Sequence, residues 1–330
     1  MMKSIKYLIL TFLSFRVFCG CSDTIDSPSQ DEDELLIVPV TLSASDYEFD
    51  EMTRSLTPYI PDVENLIGDI WVVQYSSRGV LLPRSIYHYR AGDFGDMVVD
   101  NMYYASSSAS GVALVESAED CTVCFIANMG NNVPAEWPDN LFSFQELMMP
   151  VLDADNTVNP ARLPMCGYYY GPVQHGTKVS VSLGRMIARL NIVIDNQTGE
   201  NISNLDVRLV NAPRYAHFFP ISDAVPFNEA ENESVRTNRD SGMSLIAWES
   251  LNLYYYIAPN LYGEIWPTTL YVNCHLDVTD QDAAGAMILG DAAPDEYEQD
   301  FYPPVVNPER DMRLYPNNNY TFTVNLKNLK

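Results

Sequence analysis

Basic residues are scarce in this chain: Lys and Arg total 19 against 44 Asp and Glu, which gives a formal charge of −25 at pH 7. No segment concentrates the few Lys and Arg residues. Proteins that bind nucleic acid need a basic stripe that displaces counterions from the phosphates. We therefore expect no nucleic-acid partner.

Long apolar runs are also missing, apart from a short one near the N-terminus. Lys3 and Lys6 precede the run Tyr7–Phe15, which is far shorter than the ~20 residues that a membrane-spanning helix needs. It predicts a signal peptide over residues 1–20 rather than a membrane anchor. The apolar fraction of 47%, with 12% aromatic residues, predicts a packed core and excludes disorder along the whole chain.

Motifs of catalysis and metal binding are absent as well. The sequence contains no GxSxG, HExxH, Gly-rich phosphate loop or Walker motif, and its four histidines lie far apart. The segment from Asp280 to Asp291 begins like a calcium loop, but Ala284 stands at its fifth position and Asp291 at the place of the bidentate Glu. We expect no enzyme activity, no cofactor and no metal site; glycoside hydrolysis by two carboxylates stays open as an alternative.

Cysteines are few, and only one pair has a suggestive spacing. Cys121 and Cys124 form a CxxC inside the apolar run Cys121–Ala127. Residues three apart in a strand point to opposite faces, which is unfavourable for a redox or zinc pair. We expect buried free thiols.

Short segments with alternating apolar residues are abundant. The first of these segments carries the apolar residues Leu36, Val38, Val40 and Leu42. Pro39 lies between them and has no amide donor, which predicts that this strand lies at a sheet edge. Further strands are expected at 70–75, 121–127, 188–194, 205–209, 253–258, 270–276 and 320–326. The best helix candidate in the first half is Ser143–Met149. Short strands divided by Gly, Pro and Asn predict an all-β chain of two tandem β-sandwich domains with few short helices, at 36–175 and 176–330.

The end of the apolar N-terminal run resembles a bacterial lipoprotein processing site. There Gly20 precedes Cys21, which would be acylated and become the first residue of the mature chain; plain secretion is the alternative. Residues 21–35 are rich in Asp and Glu and predict a solvated tether. This acidic run is similar to the signals that carry Bacteroidales lipoproteins to the outer leaflet of the outer membrane.

The order of these elements resembles the Bacteroidales fimbrillin superfamily, the FimA-like and Mfa-like pilus subunits. The resemblance covers nearly the whole chain and depends on the order of its motifs: Cys21, Leu36–Leu42, Thr53-Arg54-Ser55, Ile67–Gly79, Cys121–Gly130, Leu183–Arg189 and Asn319–Val324. Ala258-Pro259-Asn260 departs from the Pro-Glu-Asn that Mfa-like members often carry. The fold that the resemblance implies is two transthyretin-like β-sandwiches.

The resemblance implies a structural or accessory subunit of a surface fimbria. An arginine-specific protease would cut between Arg54 and Ser55 and release the first strand, Leu36–Leu42. A strand from another subunit would then fill the apolar groove that this strand leaves. The candidate donor strand carries Tyr320, Phe322, Val324 and Leu326; the alternative is that it is the last strand of its own sandwich. The expected partners are other pilus subunits, the protease and, through the acylated cysteine, outer-membrane lipid.

A tip adhesin, or a surface-tethered lipoprotein that binds a host protein or a glycan, is the alternative function. Exposed aromatic residues could present platforms to sugars, although alternate residues of a strand usually enter the core. The candidate residues are Tyr168–Tyr170, Tyr254–Tyr256, Trp248 and Trp266.

Overall fold

The computed structural model describes residues 34–45, 48–49, 62–90, 93, 98–99, 111–151, 159–218, 235–238, 242–261, 263, 267–289 and 313–328. Most described residues are in strands, so the predicted all-β class is confirmed. The first ten strands are β1 (Leu35–Val38), β2 (Val40–Ala44), β3 (Glu48–Phe49), β4 (Asp69–Tyr75), β5 (Leu81–Arg90), β6 (Val98–Val99), β7 (Val112–Val115), β8 (Ser117–Ala127), β9 (Met148–Pro150) and β10 (Met165–Val173). The others are β11 (Val179–Arg185), β12 (Ala188–Asp195), β13 (Ile202–Ala212), β14 (Tyr215–His217), β15 (Val235–Asn238), β16 (Met243–Leu245), β17 (Ser250–Ile257), β18 (Thr269–Leu276), β19 (Gln281–Ile288) and β20 (Asn318–Asn325).

Helical structure is limited to short elements in the described part of the chain. The helix α1 spans Leu141–Glu146, close to the predicted position, and begins because the Asn140 side chain accepts a hydrogen bond from Ser143 N at 2.8 Å. Among the described residues, 3₁₀-helices lie at Asp62–Asn65, Pro160–Arg162 and Leu326–Asn328. No helix of the described residues is long and apolar enough to cross a bilayer.

The largest sheet has seven strands in the order β5-β4-β8-β10-β11-β2-β6. Strand β4 and the Cys121–Ala127 part of β8 are almost continuous runs of apolar residues, which is typical of strands that are buried on both faces. All neighbours are antiparallel except β2, which is parallel to both β11 and β6. A separate two-stranded sheet pairs β1 with β7.

Two further sheets are built mainly from the second half of the chain. One has the order β17-β12-β20-β3, in which β20 is parallel to both neighbours. The other has the order β15-β13-β18-β19, with β16 also paired to β13. The small pair β9–β14 connects the two halves of the sequence.

Buried apolar side chains form two clusters. The first cluster draws on residues between Leu36 and Ile187, with Ala216, Phe218 and Ala258 added. The second cluster lies between Ala188 and Leu326. Strand β11 contributes Val179, Val181 and Leu183 to the first cluster, so residues on both sides of position 175 pack there. The proposed domain boundary between residues 175 and 176 stays a prediction.

The prediction that the strand around Pro39 lies at a sheet edge is confirmed for β1, which belongs to a two-stranded sheet with β7, and is wrong for β2, which has a neighbour on each side. Pro39 stands between β1 and β2, at the point where the chain leaves one sheet and enters another, and β2 lies between β11 and β6. The missing amide donor is tolerated because no ladder continues through this residue, while its carbonyl accepts a hydrogen bond from Val179 N at 3.0 Å.

Candidate functional site: the groove that holds the N-terminal strands

The first two strands occupy an apolar groove through alternate side chains. Leu36, Val38, Val40 and Leu42 are 6%, 2%, 1% and 0% exposed and belong to the first cluster. Ile37 between them is 55% exposed, and Thr41 is also exposed. The alternation in the sequence therefore corresponds to one buried face that continues through Pro39.

The backbone of this segment is bonded to two different strands. Strand β1 pairs antiparallel with β7, with Leu36 opposite Leu114, and the ladder is extended by Glu116 N, which donates to Glu34 O at 2.8 Å. Strand β2 pairs in parallel with β11, and Ser45 N donates to Leu183 O at 2.8 Å just beyond the ladder. Removal of residues 34–45 would leave both β7 and β11 with an unpaired edge.

A cleft lies beside β1, on the side of the loop that follows β10. Its volume is about 370 Å³, and it is lined by Glu34–Pro39 and Gln174–Lys178. Most of its lining residues are exposed, so it is a cleft at the surface rather than a void in the core. The start of the segment therefore borders solvent, whereas Leu42 near its end is fully buried.

Arg185 holds the end of the segment. Its buried guanidinium donates from Nη1 to Ser45 O at 2.8 Å and to Asn317 Oδ1 at 3.2 Å, and from Nη2 to the side chain of Asn65. Hydrogen bonds from a charged donor are stronger than those between neutral groups. One side chain therefore links the N-terminal strands, the 3₁₀-helix Asp62–Asn65 and the residue that precedes β20.

A second buried charge lies in the same 3₁₀-helix. The carboxylate of Glu64 is fully buried, with its Oε1 3.6 Å from Arg189 Nη1. Tyr256 donates from its hydroxyl to the same oxygen at 2.7 Å. Burial, and then the hydrogen bond to Glu64, raise the pKa of Tyr256, so the phenol keeps its proton and remains a donor. These contacts hold the 3₁₀-helix against β12 and β17.

The C-terminal strand β20 lies inside its own sheet. Residues 319–325 pair in parallel with Arg189–Asp195 of β12, and β3 pairs with the start of the strand. The side chains predicted for donation are all buried in the second cluster: Tyr320, Phe322, Val324 and Leu326. In this arrangement β20 pairs within its own sheet, as in the alternative to strand donation. The use of β20 as a donor strand stays a prediction.

Several other predicted site residues lie outside the described part of the chain. These are Cys21, Arg54, Ser55 and Trp266. Among the aromatic candidates, Tyr168 and Tyr170 are 61% and 63% exposed on one face of β10, whereas Tyr255 is buried. Two neighbouring tyrosines are thus available on the surface.

The thiols are buried, as predicted. Cys121, Cys124, Cys166 and Cys274 are free and inaccessible, and burial raises the pKa of Cys166 to about 12 and that of Cys274 to about 11. Such thiols are poor nucleophiles and poor metal ligands. In the portion of the chain that the structure covers, no three His, Cys, Asp or Glu side chains are grouped to hold a metal.

Asp280 and Asp282, at the start of the degenerate calcium motif, lie at the hairpin between β18 and β19. The residues that follow are in β19 rather than in a loop. Both carboxylates face His275, whose Nδ1 is 2.9 Å from Asp282 Oδ1 and whose Nε2 is 3.4 Å from Asp280 Oδ1. Hydrogen bonding to Asp282 raises the pKa of His275.

Sequence reasoning missed three residues around the groove. Gln74 and Tyr89 contact the backbone of β7, and Gly111 precedes that strand. Gln74 is the one polar residue between Ile70 and Tyr75. A polar residue inside an apolar strand needs a hydrogen-bond partner, and this rule could have identified it.

Comparison with known proteins gives a likeness of structure only. No model of a known protein family matches the chain, and no curated protein matches it. A candidate cell adhesion protein from Bacteroides eggerthii is 15% identical with a TM-score of 0.50, over 87% of this chain and 85% of that chain. A candidate cell adhesion protein from Parabacteroides distasonis has 12% identity and a TM-score of 0.49, over 88% and 96% of the two chains.

The tip fimbrial protein Mfa3 from Porphyromonas gingivalis, in a form with a C-terminal truncation, is 12% identical with a TM-score of 0.47. That match covers 86% of this chain and 93% of that chain. Sequence identities this low carry no information about activity or ligands. The likeness to the B. eggerthii structure, which extends over most of both chains, shows a common fold.

Proposed function

We propose that this chain is a structural or accessory subunit of a surface fimbria. It would be exported as a lipoprotein precursor, tethered through Cys21 to the outer membrane and assembled by donor-strand exchange after proteolysis at Arg54. One observation carries the proposal: the segment 34–45 fills an apolar groove, yet it precedes Arg54 in the chain. A single cut would therefore separate it covalently from the rest of the core.

The energies agree with such a role. The burial of four aliphatic side chains stabilises the fold by ~1.5 to 3 kcal/mol each, or roughly 6 to 12 kcal/mol in all. This is comparable with the whole stability of a domain. A groove that has lost this segment has both an apolar floor and unpaired strand edges, which together favour the addition of a strand from another chain.

The fold adds support of a general kind. The B. eggerthii protein that shares it is described as a candidate cell adhesion protein. We therefore infer that the chain acts at the cell surface, in adhesion or in a fimbria, and without catalysis.

N-terminal sequencing and size analysis, before and after treatment with an arginine-specific protease, test this function. We expect a new N-terminus at Ser55 and a ladder of multimers, and Arg54→Gln should abolish both. A precursor that stays intact, or a monomer that is nicked at random sites, would contradict the proposal.

A tip adhesin or tethered binding lipoprotein is the second candidate. It is favoured by the complete pairing of β20 within its own sheet, since a tip subunit accepts a strand but donates none. The exposed pair Tyr168 and Tyr170 would be part of a surface for a host protein or a glycan. Normal assembly of chains that lack residues 320–330 would exclude the stalk role in favour of the tip role.

A further inference from the structure

Strand β7 has a different kind of partner on each of its edges. On one edge, the backbone of residues 112–116 pairs with residues 34–38. On the other edge, side chains rather than a strand supply the hydrogen bonds that are described for Ala113 and Val115.

Gln74 supplies two of these bonds from near the C-terminal end of β4. Its Oε1 accepts from Val115 N at 2.8 Å, and its Nε2 donates to Val115 O at 2.8 Å. A carboxamide offers the same donor and acceptor as a peptide group, so Gln74 takes the place of a neighbouring strand residue. The side chain is fully buried, and Val115 is buried too.

Tyr89 supplies the third bond from β5. Its hydroxyl oxygen accepts from Ala113 N at 3.0 Å. Strands β4 and β5 pair with each other and belong to the large sheet. The bonds that hold this edge of β7 are therefore independent of the segment 34–45.

We propose that Gln74 and Tyr89 are positioning residues that keep β7 in place as an acceptor for an incoming strand. The inference rests on the proposed strand exchange, and the occupant is an extended segment from a second copy of the chain. That segment pairs antiparallel with β7 and places apolar side chains at the positions of Leu36 and Val38. An acceptor that is already ordered lowers the entropic cost of binding.

A strand-exchange assay on the full chain, cut after Arg54, tests the proposal. A fluorescent peptide with the sequence of residues 34–45 is added in excess, and its rate of incorporation is measured for wild type, Gln74→Met and Tyr89→Phe. Gln74→Met keeps the size of the side chain but leaves the backbone of Val115 unpaired, so we expect incorporation to be slower by about tenfold or more. For Tyr89→Phe, which loses one bond, we expect a reduction of roughly threefold.

Two control variants separate positioning from general damage. Tyr87→Phe changes the neighbouring ring on the same strand, 6.2 Å from the Tyr89 ring, and should leave the rate unchanged. Val207→Ala lowers stability through the second cluster, away from β7, and should not slow incorporation. Hydrogen exchange on the uncut chain gives a second readout: the amide of Val115 should exchange faster in Gln74→Met, and that of Ala113 in Tyr89→Phe.

The outcomes are distinct. If the wild-type chain is cut but takes up no peptide, strand exchange itself is wrong and this inference fails with it. If wild type takes up the peptide and both variants do so at the same rate, strand exchange stands and the positioning role is overturned. A rate lowered as much by Val207→Ala as by Gln74→Met would also overturn it.

Discussion

The N-terminal segment 34–45 buries four alternating apolar side chains, and β20 buries three, with Leu326 of the following 3₁₀-helix as a fourth. The two segments are held differently. Strand β20 pairs with β12 over residues 319–325 without a change of partner. The N-terminal segment changes partners at Pro39, from β7 to β11, and has a cleft beside its first half. Similar burial therefore does not make the two segments equally easy to remove. Whether a single cut can free a segment depends on its strand pairing and on its position relative to the cleavage site.

Among the changes that test this comparison, deletion of residues 320–330 should lower the stability most. It removes four buried side chains from the second cluster together with the central partner of β12. We expect a loss of stability on the order of a domain's whole stability, measured by urea denaturation followed by circular dichroism.

Removal of residues 329–330 alone is the control for that deletion, and it should leave the denaturation midpoint unchanged. In an assembly assay, a stalk subunit that lacks 320–330 stops polymerising. Assembly of the deleted chain at the normal level would refute the stalk role.

Alanine substitutions in the two segments should have unequal effects on the free energy of unfolding once the chain has been cleaved. In the uncut chain, Leu42→Ala should lower the free energy of unfolding by about 2 to 5 kcal/mol and Phe322→Ala by about 3 to 5 kcal/mol. Once residues 34–45 have left the cut protein, the effect of Leu42→Ala should disappear, while that of Phe322→Ala persists. Thr41→Ala is the matched control, since this side chain is exposed.

The arginine that connects the two segments should have the next largest effect. Arg185→Met removes the guanidinium and its hydrogen bonds to Ser45 O, Asn317 and Asn65, for which we expect a loss of about 1.5 to 3 kcal/mol in the free energy of unfolding. Arg208→Met is the control, because the side chain of Arg208 is 41% exposed and pairs with Asp206 of the same strand. Equal losses in the two variants would show that Arg185 contributes no more than a surface charge.

A glycine beside β1 offers the smallest and most local change. Gly111 has φ +105°, and a Cβ at this position would lie 2.6 Å from Val38 O. Gly111→Ala should therefore cost about 1 to 3 kcal/mol and weaken β1 more than β20. In Gly242→Ala, a Cβ would meet no atom within 4 Å at a similar φ of +86°, so the difference between the variants isolates the contact with β1. Hydrogen exchange at Leu36 and Phe322 measures it.

The sequence predicted local features well and pairing partners poorly. Alternation with a period of two placed Leu36 to Leu42 on one buried face, because side-chain direction in a strand depends only on neighbouring residues. The switch of sheets at Pro39 and the parallel pairing of β2 with β11 depend on residues 74 or more positions away along the chain, and no local pattern contains them.

Buried polar residues were the other gap. Arg185 stands in a segment singled out as a family motif, but its position inside the protein, between Ser45 and Asn317, comes from three segments that meet only in the folded chain. Gln74 could have been noticed as a polar residue in an apolar run, yet its partner Val115 belongs to a strand that the sequence analysis did not identify. The cleavage and lipidation residues lie outside the described part of the chain and stay predictions.

The pairing of β3 with the start of β20 has a consequence for the order of folding. Glu48 and Phe49 lie opposite Asn318 and Asn319, so this pairing joins residues that are far apart in the sequence. A chain that emerges from its N-terminus makes these contacts last. Such long-range contacts raise the contact order and slow folding, and β3 cannot pair with β20 until the C-terminal strand is present.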